Sequence, residues 1–320
     1  SDLDDEKRLY EIIAQSKSRL QMAIGGMGHY MAGMRAMSYF SKTAKISDLT
    51  GGIELYKMVA DLEEHFEEKK EELKATLKRL VKEIFVRERL MLNITCAGGT
   101  TFLEKELQEL LESLPSDKTP VKPQEILCEK KNEGFKTASK VQYVAKAGNF
   151  IDLGVAYTGA LQILKVIMSY DYLWQNIRVK GGAYGCMSNF NRIGEGYFVS
   201  YRDPNLKRTL DVYDGVVDYL KNFTVSERDM TKYIIGTMSG IDQPMTPASK
   251  GERSMNLYMN KVSAEMIREE RNQILDAEQD DIRALYKVAE AVLQADQMCV
   301  IGGEDKIEEE KELFKTLTSF

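Results

Sequence analysis

Histidine is almost missing from this chain. Among 320 residues there are two, His29 and His65, widely separated. That scarcity removes most imidazole chemistry, because metal centres and acid–base dyads lean on this ring. Positive charge is also short: 44 Lys and Arg face 50 Asp and Glu, giving a net charge of -6 and a pI near 5.3. A nucleic-acid surface needs clustered positive charge, so that class is disfavoured. The four cysteines, Cys96, Cys128, Cys186 and Cys299, are scattered, with no CxxC spacing. Neither a zinc ribbon nor a thioredoxin-like pair is indicated. Each lies in an apolar stretch, where a buried free thiol is the ordinary expectation, and that suits a reducing cytosol. No apolar run approaches the roughly 20 residues of a membrane span. No signal-peptide pattern is visible. Gly-x-Ser-x-Gly, Walker-type loops and neighbouring Cys/His pairs are absent too.

What is present is the composition of an ordinary soluble globular protein, 43% hydrophobic and 29% charged, long enough for two domains. Proline is sparse, but three of the six prolines, Pro115, Pro120 and Pro123, fall close together. The stretch 114–124 therefore reads as a linker between residues 1–113 and 125–320. Ahead of it, apolar periodicity predicts helices over 3–41, 52–65, 66–86 and 100–113. The Gly25–Met34 stretch, rich in glycine and methionine, implies a helix that is interrupted or very closely packed, with its methionines in the core. One alternating segment, Leu90–Ala97, predicts a strand running into Gly98-Gly99. A single strand makes no sheet. The first domain is thus expected to be truncated, its partner strands lying upstream of residue 1.

After the linker, strands are predicted near 125–130 and 139–147, then a helix over 152–170. A hairpin at 184–191 and 195–202 follows. Helices come next at 206–222, 226–239, 247–260, 263–274 and 278–294, then a strand at 296–301 and a terminal helix at 304–317. This order predicts an α+β fold, an antiparallel sheet layered with helices. Strand-Gly-Gly-helix occurs at 90–113 and again at 296–317, which suggests two related domains.

The segment from Trp174 to Gly185 is the most informative. The doublet Gly181-Gly182 supplies backbone freedom at a sharp helix-to-strand transition. Arg178 precedes the turn, and Tyr184 follows it. Both are donors of the kind that neutralise an oxyanion in a cleft. The residues alone leave two readings open: Arg178 could simply pair with an acid, and Tyr184 could fill a strand position as Tyr197 does. Glu195, Asn189 and Arg192 lie near enough to line the same cleft, with no role that follows from the sequence.

Arg178-x-x-Gly181-Gly182-Ala183-Tyr184-Gly185, followed by Gly194–Asn205, resembles the arginine/tyrosine segment in the C-terminal half of inverzincin metallopeptidases. Within that pitrilysin/insulysin clan the likeness is to the presequence-protease and falcilysin branch. The family builds each half-molecule from two homologous α+β domains. Its zinc is held by His-x-x-Glu-His and a distant glutamate. Here the nearest counterpart is Asp61-Leu62-Glu63-Glu64-His65, with aspartate where the first histidine belongs, so no metal ligand is assigned. The resemblance implies the C-terminal, zinc-free half of a zinc endopeptidase acting on unstructured peptides. Arg178 and Tyr184 would then be catalytic, and Gly181, Gly182 and Ala183 would bind substrate. The zinc would sit in a missing N-terminal half, which is the implied partner. Neither nucleic acid nor membrane is implied, the location would be cytoplasmic, and the chain alone would be inactive. The alternative is a naturally separate, non-catalytic subunit or peptide-binding module that pairs with a zinc-bearing chain.

Overall fold

The computed structural model describes residues 3–320, which cluster into two compact units, each drawn from several stretches. Five helices enter the description below: α1 (Glu6–Gly26), α2 (Gly28–Met37), α3 (Phe66–Ile84), α4 (Ala160–Tyr170) and α5 (Tyr286–Gln294). The second unit comprises residues 17–58, 126–242 and 268–320. Its centre is a six-stranded sheet built from β1 (Glu133–Thr137), β2 (Tyr143–Asn149), β3 (Gly185–Phe190), β4 (Glu195–Tyr201), β5 (Gln297–Gly303) and β6 (Thr316–Ser319). The spatial order is β3-β4-β2-β5-β1-β6. The α+β class holds, but the sheet is mixed rather than purely antiparallel, because β1 pairs in parallel with both β5 and β6. The predicted terminal helix is correspondingly short, Glu304–Glu309, and β6 follows it. The strand expected at 125–130 forms later, as β1.

Alternation in β2 sends side chains to two cores. Tyr143, Ala145 and Ala147 meet α2 through Met31, Ala32 and Met34. Val144 faces the opposite core, where α4 contributes Leu161, Leu164 and Met168 and α5 contributes Val292. Each fully buried side chain of this size contributes about 1.5–3 kcal/mol. The glycine- and methionine-rich stretch proves both interrupted and close-packed. Helix α1 ends before Met27, and a Cβ on Gly28 would lie 2.2 Å from the Tyr143 ring.

A buried ion network fastens α2 to the sheet. Arg35 donates to Glu133 at 2.5 and 3.0 Å and to Asp48 at 2.5 Å, and it pairs with Glu54 at 2.7 Å. The Tyr39 hydroxyl also donates to Glu133, at 3.0 Å.

The first unit holds residues 3–16, 59–125 and 243–267 among those described. Helix α3 pairs with the start of α1 through Lys70 and Lys74, both 2.9 Å from Glu6. Tyr10 meets Phe66 edge-on at 5.2 Å. The expected strand at 90–97 is not formed, and the only sheet among the described residues is that of the second unit. Its alternating apolar residues Leu90, Leu92 and Ile94 stay exposed. An isolated extended segment has no neighbour to accept its ladder hydrogen bonds, so alternation alone does not make it a strand.

Candidate active-site segment

Beyond α4 the backbone winds into a π-helical turn, Trp174–Val179. Such turns occur often at functional sites. Ile177 is buried and anchors the turn, while Arg178 lies on its exposed side. The chain then reverses at once. The Gly182 N–H donates to the Arg178 carbonyl at 2.9 Å, and the Ala183 N–H donates to that of Ile177 at 3.1 Å. A Cβ on Gly181 would stand 2.4 Å from the Ile177 oxygen, and Gly182 has φ +82°. The doublet is therefore required by the geometry of the turn. Ala183 is buried beneath it. The Tyr184 N–H donates to the Tyr201 carbonyl at 3.0 Å and starts the hairpin.

The structure brings Arg178 and Tyr184 together through the side chain of one and the backbone of the other. The Arg178 guanidinium stacks over the Trp174 ring at 4.5 Å and donates through Nη1 to the Tyr184 carbonyl. One N–H of the fork is thus committed to holding the loop. The Tyr184 phenol, 65% exposed, instead lines an open cleft of about 350 Å³ with Val141, Tyr143, Gly182 and Arg202.

Arg202 went unassigned in the sequence, although it stands within the motif-like run after Gly194. The antiparallel register pairs Gly185 with Tyr201, which one step further sets Arg202 across from Tyr184. Its φ of +49° is uncommon for a residue with a Cβ. Its guanidinium lies 5.9 Å from the Tyr184 ring and 5.5 Å from that of Tyr201. Burial pushes the Tyr143 phenol upward, and the hydrogen bond and charge of Arg202 partly oppose that.

Glu195, Asn189 and Arg192 do not line this cleft. Glu195 is buried and accepts from Ser41 and, at 2.6 Å, from Asn191. Asn189 accepts from Lys165 at 3.3 Å. Arg192 pairs with Glu270 and lies over the Tyr157 ring.

His65 and Asp61 approach at 3.2 Å, and the Lys69 ammonium caps the same carboxylate. Among the described residues no group of three or more His, Cys, Asp or Glu is arranged to hold a metal. Zinc therefore does not fit this chain's own donors. The cysteines are unbridged, and Cys96 is exposed, against the expectation of burial for all four. Cys186 is buried, which pushes its thiol up to about 12.

Comparison with known proteins matches residues 132–302 to the PreP C-terminal domain and residues 1–62 to the associated domain of peptidase family M16, subfamily C. Protein HypA of Clostridium perfringens is 37% identical over the whole chain, which covers 33% of that protein. Presequence protease 1, chloroplastic/mitochondrial, of Arabidopsis thaliana is 29% identical over 90% of the chain and 27% of its own length. The chain thus spans about a third or less of these curated relatives. Among solved structures, a conserved protein from Enterococcus faecalis V583 superposes with a TM-score of 0.54 at 16% identity, over 93% of this chain and 68% of that one. Pitrilysin superposes with a TM-score of 0.52 at 14% identity, over 94% and 32%. At such identities the structural likeness speaks to the fold alone. The sequence match to the presequence-protease C-terminal domain covers more than half of the chain, which accordingly belongs to the M16 peptidases as the C-terminal half of a presequence-protease-type member.

Proposed function

We propose that this chain is the zinc-free half of a zinc metalloendopeptidase that degrades unstructured peptides, and that it supplies substrate binding and oxyanion stabilisation. The observation that carries the reading is the Tyr184 phenol, held out into a cleft by a backbone whose reversal, glycines and arginine brace are all fixed. Donors aimed before the reaction begins cost no reorganisation when charge develops. Zinc, in the partner half, would polarise the scissile carbonyl and activate water. The work of this chain is different. The Tyr184 hydroxyl donates a hydrogen bond to the developing oxyanion. Arg178 fixes the Tyr184 carbonyl with one N–H and offers the exposed remainder of its fork to the peptide backbone. Gly181, Gly182 and Ala183 keep that surface free of bulk so that a backbone can approach. The partner is the N-terminal half, and the isolated chain should be inactive.

The test is reconstitution of this chain with its zinc-bearing half and assay on a fluorogenic peptide. Tyr184→Phe should lower kcat by about 10²–10³-fold, the usual effect of losing one oxyanion donor. Arg178→Ala should both raise KM and lower kcat, because it frees the loop and removes a substrate contact. Unchanged kcat in Tyr184→Phe would end its assignment as the donor.

A further inference from the structure

A second cavity lies on the same sheet edge and on the face that α2 covers. It has a volume of about 290 Å³ and is lined by His29, Gly33, Met37, Met187, Glu195 and Tyr197, among others. That is roughly ten times the ~30 Å³ share of one liquid water, which is room for one large side chain. We propose that this cavity is a specificity pocket that accepts a long apolar side chain, of leucine, methionine or phenylalanine type, from the peptide that meets Tyr184. The proposal rests on the peptidase reading above and adds to it a subsite and a side-chain preference.

Three observations carry it. The first is continuity. Met187, in the pocket wall, stands three residues beyond Tyr184, roughly 10 Å along an extended strand. β3 is an edge strand with β4 as its neighbour, and its other edge is unpaired among the described residues. Such an edge is a template for an added extended peptide. A peptide laid there would meet Tyr184 at one point and send side chains toward the α2 face at a two-residue period.

The second is chemistry. Met34, Met37 and Met187 present thioethers, which are polarisable and adapt to varied apolar shapes. Tyr197 and Val199 complete an apolar wall. The charge that faces the pocket is negative: Glu195, already accepting from Ser41 and Asn191. An aspartate or glutamate side chain would meet like charge there, and an aliphatic or aromatic one would not.

The third is an unmet polar atom. His29 lines the pocket, and its Nδ1 is buried without a hydrogen-bond partner. Buried polar atoms are satisfied in the great majority of cases. A peptide group or a water ordered by a bound peptide would supply the missing partner.

Gly33 provides a clean test. A Cβ there would meet only the Tyr197 ring, at 3.9 Å, which is ordinary contact. Gly33 is inside α2, where other residues are better helix formers. Gly33→Leu should therefore fold normally and fill the pocket. The complete enzyme, reconstituted from both halves, is assayed on peptides that differ only in carrying Leu, Ala or Asp at successive positions around the cleaved bond. At one position the parent should favour Leu over Ala by about 10-fold or more in kcat/KM, as hydrophobic pockets do, and disfavour Asp further. Gly33→Leu should bring the Leu-to-Ala ratio close to one, mainly through KM. Tyr184→Phe should lower kcat on Leu and Ala peptides alike and keep their ratio. If Tyr184→Phe behaves so while Gly33→Leu leaves the ratio intact, the pocket is overturned and the peptidase reading stands. If Tyr184→Phe has no effect but the ratio collapses in Gly33→Leu, the pocket stands and the oxyanion role falls. If the reconstituted enzyme cleaves nothing and fluorescence anisotropy shows no preference for Leu over Ala peptides, both fall.

Discussion

At the scale of single residues, the Tyr184 loop is set by steric rules more than by attraction. Gly181 is denied a Cβ by the Ile177 oxygen at 2.4 Å, and Gly182 by its φ of +82°. The two constraints differ in kind, and so should their consequences. Gly182→Ala adds only the cost of a left-handed conformation, about 1–2 kcal/mol, since its nearest neighbour, Pro204, is 3.5 Å away. Gly181→Ala pushes a methyl group into backbone and must displace the π-helical turn that carries Arg178. Urea denaturation should therefore rank Gly181→Ala as the more destabilised, and reconstituted turnover should fall further with it. Equal losses would mean that the turn is not held as described. Arg202 was hidden for a different reason. Its neighbours are set by strand register, and nothing in the local run Tyr201-Arg202-Asp203 announces that it faces Tyr184.

At the scale of elements, the attachment of α2 to β1 depends on ions taken out of water. Glu133 feels two opposed effects: burial pushes its carboxyl upward, while the hydrogen bond and charge of Arg35, with the Tyr39 hydroxyl, pull it down and prevail. Its folded value is therefore below the ordinary 4.5. Between the two values the unfolded chain binds more protons, so the stabilisation is present above about pH 4.5 and is lost as the pH falls through the folded value. Glu133→Gln should reduce overall stability, because Arg35 loses a buried partner. It should also flatten the acid limb of a stability–pH curve measured by denaturant titration at successive pH values. A variant with the same acid slope as the parent would show that the carboxyl does not couple α2 to the sheet.

At the scale of the whole molecule, the first unit leaves many large apolar side chains uncovered. Leu80, Ile84 and Phe85 at the end of α3, Leu90 and Leu92 beyond it, and Phe102 are all exposed. An apolar surface of this kind marks an interaction face or an aggregation liability. On the proposed pairing with a zinc-bearing half, the isolated chain should bind an apolar dye such as ANS and self-associate in sedimentation. Adding the partner half should suppress both. Dye binding that the partner leaves unchanged would exclude this region from the pairing.

The sequence by itself determined what depends on near neighbours: the hairpin around Gly194, the Gly-Gly reversal, the order of most helices, the α+β class and the family. Each is encoded by periodicity or by a backbone requirement that a few consecutive residues express. Only the tertiary structure decided what depends on distant partners. It made Thr316–Ser319 a strand of the sheet rather than helix, because parallel pairing with β1 outweighed local propensity. It left Leu90–Ala97 extended and unpaired despite its alternation. It placed His29, Met37 and Met187 around one cavity. Such pairings are chosen by the burial they complete, and burial is a property of the folded chain that no short window of residues contains.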